Sequence, residues 1–202
     1  MLIIIEWADL MGKTTLIKKL KVIFWDAISF KIPKDVIPKW SDEIEKNKIF
    51  SWYKTLLEVI DLYLKQKPNS YVIQDRFYIM SEIVYWKIFR NYDVLDTEYY
   101  QKIKNKLKEI PHLLVYLSDD YKNAEKRFLS NWDDVIKSIE KYKKIFYEYD
   151  NVFNKIKNEK DLNILKIEPF NDNDHVNKII NKILKIKEIH KINNDNRERN
   201  AL

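Results

Sequence analysis

A parallel α/β fold is what this 202-residue chain predicts, and three observations carry that reading. Short apolar runs alternate five times with stretches of helical spacing, which implies a sheet of about five parallel strands covered by helices on both faces. The runs Tyr71-Val-Ile-Gln74 and His112-Leu-Leu-Val-Tyr-Leu117 read as buried strands. With 46% hydrophobic and 14% aromatic residues, the chain can bury a sizeable core.

Taken in order, residues 1–6 form an apolar run with Ile at three positions, followed by a turn and by a segment of helical spacing from Thr14 to Leu20. The aromatic and β-branched stretch Val22 to Trp25 predicts the second strand. Pro33 and Pro38 mark an irregular connection, and a long amphipathic helix spans about Asp42 to Lys65 until Lys67-Pro-Asn-Ser70 stops it. After the Tyr71 to Gln74 strand come helical patterns at Ser81 to Phe89 and Thr97 to Glu109. Pro111 precedes the His112 strand. Further helices are expected at Lys122 to Leu129 and Val135 to Asn158, then a strand Asn163 to Ile167 and a helix from Asp174 to Lys187. No repeat or linker divides the chain, so residues 1–188 read as one domain and 189–202 as a polar C-terminal tail.

Composition bounds the function. Cysteine is absent, which excludes a disulfide framework, a thiolate zinc site and a cysteine nucleophile. The opening apolar run stops at Glu6, far short of the roughly 20 residues a membrane span needs, and no basic region with a cleavage site precedes it. The expected location is cytoplasmic, without a membrane partner. Of the 37 basic residues 32 are lysine, and with frequent Ile, Asn and Tyr this looks like the bias of an AT-rich genome. The net charge of +6 is therefore weak evidence for a nucleic-acid partner. His112, His175 and His190 build no metal site by spacing.

The same bias makes the single glycine informative. Gly12 stands in Met11-Gly12-Lys13-Thr14-Thr15, between a predicted strand and a predicted helix. A phosphate-binding loop needs inward backbone N–H groups at a helix N-terminus, a lysine that reaches the β and γ phosphates, and a hydroxyl for Mg²⁺. Gly12, Lys13 and Thr14 meet that need. The usual spacing starts with a second glycine, and Trp7 stands in its place.

The run Glu6-Trp7-Ala8-Asp9-Leu10-Met11-Gly12-Lys13-Thr14-Thr15 resembles the opening of the thymidylate kinase branch of P-loop nucleotide kinases, whose first strand ends Glu-Gly-x-Asp-x-x-Gly-Lys-Ser/Thr-Thr. The resemblance implies a three-layer P-loop kinase fold with a helical lid at about 128–142. It also implies a loop from Asp9 through Leu10, Met11, Gly12, Lys13 and Thr14 to Thr15 that holds ATP, with Asp9 approaching the acceptor sugar's 3′-hydroxyl. Lys31-Ile32-Pro33 is similar to the family's Arg-Glu-Pro, and Ile49-Phe50-Ser51-Trp52-Tyr53-Lys54 to its Leu-Phe-x-x-x-Arg. By that likeness Phe50 stacks on the acceptor base and Lys54 replaces the base-contacting arginine.

Gln74-Asp75-Arg76-Phe77 resembles the family's Asp-Arg segment, which implies Asp75 near the metal with Thr14, and Arg76 on the acceptor phosphate. Ser81 and Tyr85 keep the spacing of a family serine and aromatic beside the acceptor. Ala124-Glu-Lys-Arg127 resembles the helix into the lid, with Arg127 on the ATP adenine or phosphates. One departure concerns the chemistry: family members carry an arginine in the P-loop or lid, whereas Leu10 and Met11 stand in the loop and Phe128 to Tyr142 contains no arginine.

The implied activity is ATP- and Mg²⁺-dependent phosphoryl transfer to a pyrimidine deoxynucleoside monophosphate, dTMP first, in a nucleotide biosynthesis role. Two alternatives stay open: a kinase of a deoxynucleoside or of a modified pyrimidine in DNA, and a nucleotide-binding protein with weakened catalysis. The expected partner is a nucleotide substrate, with a homodimer as an option and nucleic acid only if the acceptor is a base in DNA.

Overall fold

The computed structural model describes residues 1–7, 13–31, 43–95, 97–130, 136, 138–168 and 174–199, without the side chains of 31, 43–46 and 190–199. Five strands, β1 (Leu2–Glu6), β2 (Ile28–Lys31), β3 (Val72–Asp75), β4 (His112–Leu117) and β5 (Ile164–Ile167), form one sheet in the order β2-β3-β1-β4-β5. Every pairing is parallel. Among the described residues seven α-helices flank it: α1 (Lys13–Ile23), α2 (Glu43–Gln66), α3 (Ile83–Arg90), α4 (Glu98–Lys108), α5 (Tyr121–Ser130), α6 (Ile139–Ile156) and α7 (Asp174–Arg199).

The expected adjacency of the first strand and the Tyr71 strand is present, with Leu2 opposite Val72 and Ile5 opposite Asp75. β1 is the central strand and every one of its residues is buried. That is why it reads as an unbroken apolar run: both faces are covered, so no solvent side imposes alternation. β4 is buried throughout for the same reason.

The second strand differs from expectation. Val22 and Ile23 form the last turn of α1, and with Trp25 they face solvent. The strand comes later, at Ile28–Lys31, where Ile28 N donates to the carbonyl of Tyr71 at 3.1 Å. β2 is the sheet edge, and its short mixed run Ile-Ser-Phe-Lys carries less β-propensity than the stretch before it.

Elsewhere the helix boundaries follow local signals. Thr97 caps α4 by accepting from the Tyr100 amide at 3.3 Å, and Ser138 caps α6 by accepting from the Lys141 amide at 3.1 Å. Asn91 ends α3 in the left-handed region at φ 51°. α7 continues past Lys187 to Arg199, through the polar stretch. One apolar cluster runs from Met1 to Ile186 and joins both helical layers to the sheet. Among the described residues no helix is long and apolar enough to cross a membrane.

Candidate active site

In a parallel sheet the ligand crevice opens beyond the carboxyl ends of the strands, where the strand order reverses. Here that place is the end of β1, flanked by β3 on one side and β4 on the other. Lys13 begins α1 and is 8% exposed, although it carries a full charge. Its Nζ donates to the main-chain oxygen of Trp7 at 3.2 Å. Thr14 and Thr15 are exposed on the first turn of α1. Asp9, Leu10, Met11 and Gly12 lie outside the described residues.

Trp7, in the place of the first loop glycine, is buried at 2% exposure. Its ring lies 6.0 Å from that of Tyr116 on β4, which stacks on Phe153 at 5.0 Å and lies parallel to Tyr149 at 6.4 Å, both on α6. The Tyr116 hydroxyl donates to Asp150 at 2.8 Å. The large side chain thus belongs to an aromatic layer under α6.

At the end of β3, Arg76 has φ 65°, a left-handed backbone that is unusual for a residue with a Cβ. Three hydrogen bonds hold it there. The Arg76 amide donates to the Ile5 carbonyl at 3.0 Å, the Gln74 side-chain amide donates to the Arg76 carbonyl at 2.9 Å, and the Phe77 amide donates to Glu6 Oε1 at 2.7 Å. The Arg76 guanidinium sits over the Tyr85 ring at 5.4 Å, a cation–π contact. Asp75 Oδ1 is buried without a hydrogen-bond partner among the described residues. A buried carboxylate oxygen left in that state suits a ligand that supplies cation or donor.

Glu6 is the feature the sequence did not single out. It is fully buried, and besides the Phe77 amide it takes the Ser81 hydroxyl in a short hydrogen bond on Oε2. Ser81 Oγ lies 2.9 Å from the Tyr149 hydroxyl, which ties the network to α6. Burial pushes the Glu6 carboxyl up to about 8, against the opposing pull of the Ser81 and Phe77 bonds and the charges of Lys13 and Arg76. Ser81 stands in one turn of π-helix, Tyr78–Glu82, that leads into α3.

The second wall comes from α2. Its buried positions Ile49, Tyr53, Leu56, Leu57, Ile60 and Leu64 recur at helical spacing. Tyr53 lies on that face, edge-on to Phe77 at 5.1 Å, and its hydroxyl donates to Glu82 Oε1 at 2.8 Å. Trp86 Nε1 donates to the other Glu82 oxygen at 3.0 Å. Burial raises the Glu82 carboxyl above its usual range, with Arg76 and Arg90 among the charges that oppose the rise.

Phe50 is half-buried, 5.0 Å from the Tyr99 ring. Lys54 is exposed and lies 4.0 Å from Glu58 on the outer side of the helix. The structure thus gathers Lys13, Asp75, Arg76, Ser81 and Tyr85 around the ends of β1 and β3, and leaves Lys54 outside that group. Arg127, on α5, forms an ion pair with Asp119 just past β4. Of the expected lid, 131–135 and 137 lie outside the described residues. Lys141 sits over the Phe89 ring at 4.4 Å, and Phe89 stacks on Tyr85 at 5.7 Å.

A 2-3-1-4-5 parallel sheet flanked by helices is the fold of the P-loop nucleotide kinases. Three solved structures share it. The YorR protein of Bacillus subtilis, in complex with phosphorylated GDP, is similar at TM-score 0.68 and 24% identity over 94% of this chain and 99% of its own. Thymidylate kinase from Candida albicans is similar at TM-score 0.59 and 20% identity, over 94% and 92% of the two chains. Deoxyadenosine kinase from M. mycoides with bound dCTP is similar at TM-score 0.57 and 19% identity, over 92% and 100%. No protein-family model and no curated protein sequence matches the chain.

Proposed function

We propose that the chain transfers the γ-phosphoryl group of ATP to a pyrimidine deoxynucleoside monophosphate, with dTMP the leading acceptor. The observation that carries this reading is the pairing across one crevice of Lys13, at the start of α1, with Asp75-Arg76, at the end of β3. Two phosphate-bearing ligands need two separate cations at such a place, and Lys13 and Arg76 supply them.

Lys13 and the loop amides bind the β and γ phosphates, and the start of α1 adds its dipole. Arg76, presented by its left-handed turn, binds the acceptor phosphate with a planar fork. Phe50 stacks on the base, with Asp9 at the sugar hydroxyl and Ser81 and Tyr85 along the same wall. The Asp75 carboxylate, with Oδ1 unpartnered among the described residues, fits a metal together with the Thr14 hydroxyl. Mg²⁺ bound there neutralises charge on the β and γ oxygens. In the reaction an acceptor phosphate oxygen forms a bond to the γ phosphorus as the bond to the ADP oxygen breaks, giving ADP and a nucleoside diphosphate.

A second reading is a nucleotide-binding protein with weakened catalysis. The ion pair of Arg127 with Asp119 and the absence of arginine from 128–142 favour it, because transition-state charge is what those features leave unsupported. Incubation of the purified chain with Mg²⁺–ATP and each deoxynucleoside monophosphate, read as ADP and nucleoside diphosphate, separates the two. A panel with guanine nucleotides, nucleosides and DNA is informative because the YorR structure holds a phosphorylated GDP. Turnover of dTMP that Lys13→Ala abolishes is the expected result. Turnover indifferent to Lys13→Ala overturns the assignment.

A further inference from the structure

We propose that Glu6 is a positioning residue: reaching from the end of β1 to the Phe77 amide and the Ser81 hydroxyl, its carboxyl fixes the turn that presents Arg76 to the acceptor phosphate. This rests on the proposed kinase reading and adds to it a residue that no expectation assigned.

The geometry is specific. The left-handed Arg76 backbone is a conformation that persists only when its surroundings over-determine it. On its amino side the turn is held by the strand bond to Ile5, and on its carboxyl side by Glu6 Oε1 through the Phe77 amide at 2.7 Å. The same carboxyl takes the Ser81 hydroxyl, so it also sets where the π-helical turn starts. Ser81 in turn meets the Tyr149 hydroxyl at 2.9 Å, so α6 is bound into the same chain of contacts. Glu6 immediately precedes Trp7, whose carbonyl holds Lys13. The stretch Ile5 to Trp7, at and just past the end of β1, therefore contacts both Lys13 and the Arg76 turn.

The charges that face Glu6 are Lys13 from α1 and Arg76 from the end of β3, with the Tyr149 hydroxyl of α6 beyond Ser81 and the Tyr53 hydroxyl of α2 also within its field. Burial raises the carboxyl to about 8 in spite of the two cations. Glutamine keeps an oxygen that accepts from the Phe77 amide, but its NH2 presents a donor where the carboxyl accepts the Ser81 hydroxyl. Alanine has neither group.

The test compares Glu6→Gln, Glu6→Ala and Ser81→Ala at pH 7, each first checked for an intact cooperative melt. The expected result is that Glu6→Gln, which keeps the Phe77 bond, raises acceptor KM no more than Ser81→Ala does. Glu6→Ala is expected to raise acceptor KM tenfold or more, while ATP affinity changes less than about threefold. Ser81→Ala, which removes only the hydroxyl contact, raises acceptor KM by a smaller factor.

A purely structural role would weaken ATP and acceptor binding together, and that outcome, or an unchanged acceptor KM in Glu6→Ala, overturns the proposal. So does a Glu6→Gln variant as impaired as Glu6→Ala. If Glu6→Ala does not fold, the Glu6→Gln and Ser81→Ala pair decides. If the parent chain binds and phosphorylates no nucleoside monophosphate, the kinase reading fails by itself. Hydrogen exchange at the Phe77 amide then decides the role of Glu6: protection kept in Glu6→Gln and Ser81→Ala but lost in Glu6→Ala supports the anchoring, and protection unchanged in Glu6→Ala overturns it.

Discussion

Lys13 Nζ lies 3.2 Å from the main-chain oxygen of Trp7, so the lysine that starts α1 rests on the residue just past β1. An ammonium that is almost wholly buried needs such an acceptor, and a carbonyl offers one without a competing negative charge. In the kinase proposed above, ATP arriving at the loop takes the lysine over from a neutral dipole.

On the proposed reading, Lys13→Ala removes the charge on the β and γ phosphates. Phosphoryl transfer is expected to fall by about 10² to 10³, the range for loss of one preorganised transition-state donor. Steady-state turnover together with calorimetric ATP titration checks it.

Trp7→Gly restores the usual loop sequence but empties the layer beside Tyr116 and α6. A buried Trp-to-Ala change costs about 3–5 kcal/mol, and glycine adds backbone freedom to the unfolded chain. Urea denaturation should show a loss of at least that size. A variant as stable as the parent would contradict the packing described for Trp7.

Glu6 also makes stability depend on pH. Its carboxyl ionises at about 8 in the folded chain and near its usual 4.5 when unfolded. Between those values the folded chain keeps a proton that the unfolded chain releases, so the contribution of Glu6 is fully present below about 4.5 and is lost as pH rises through about 8. The stability difference between parent and Glu6→Gln, followed by denaturant midpoints, should decline across that window and level off above it.

Arg76→Lys keeps the charge but loses the planar fork, and should raise acceptor KM by about 10- to 100-fold, since a charged hydrogen bond is worth about 1.5–3 kcal/mol. Asp75→Asn, by contrast, should lower kcat while ATP still binds. Initial rates over a grid of ATP and acceptor concentrations distinguish the two. Equal effects of both variants on both constants would argue against separate metal and acceptor roles.

Much of the fold could be read from the chain because its strands are buried on both faces. β4 has the boundaries expected from Pro111 and the apolar run after it, and β3 differs by one residue. The second strand could not be placed, since the apolar end of α1 is a better strand by composition than β2 itself. Lys54 shows a different limit. The buried series Ile49, Tyr53, Leu56 and Leu57 puts position 54 off the inner face of α2, a placement that the motif spacing alone does not reveal. The Glu6–Ser81–Tyr149 chain was beyond reach for a plainer reason. Its members are 75 and 68 residues apart, and no local pattern marks a serine or tyrosine that meets a carboxyl only after the sheet has formed.

The burial of Trp7 bears on how sequences of this shape are sought. A pattern that insists on glycine at the first loop position treats the residue as an absolute requirement, yet here a bulky ring is accommodated because Tyr116, itself stacked on Tyr149 and Phe153, offers it a tilted ring contact past the end of the central strand. The restriction thus belongs to the pair formed by the loop residue and the aromatic layer, and the two should vary together. A search that scores position 7 jointly with position 116 would retain chains that a fixed glycine discards.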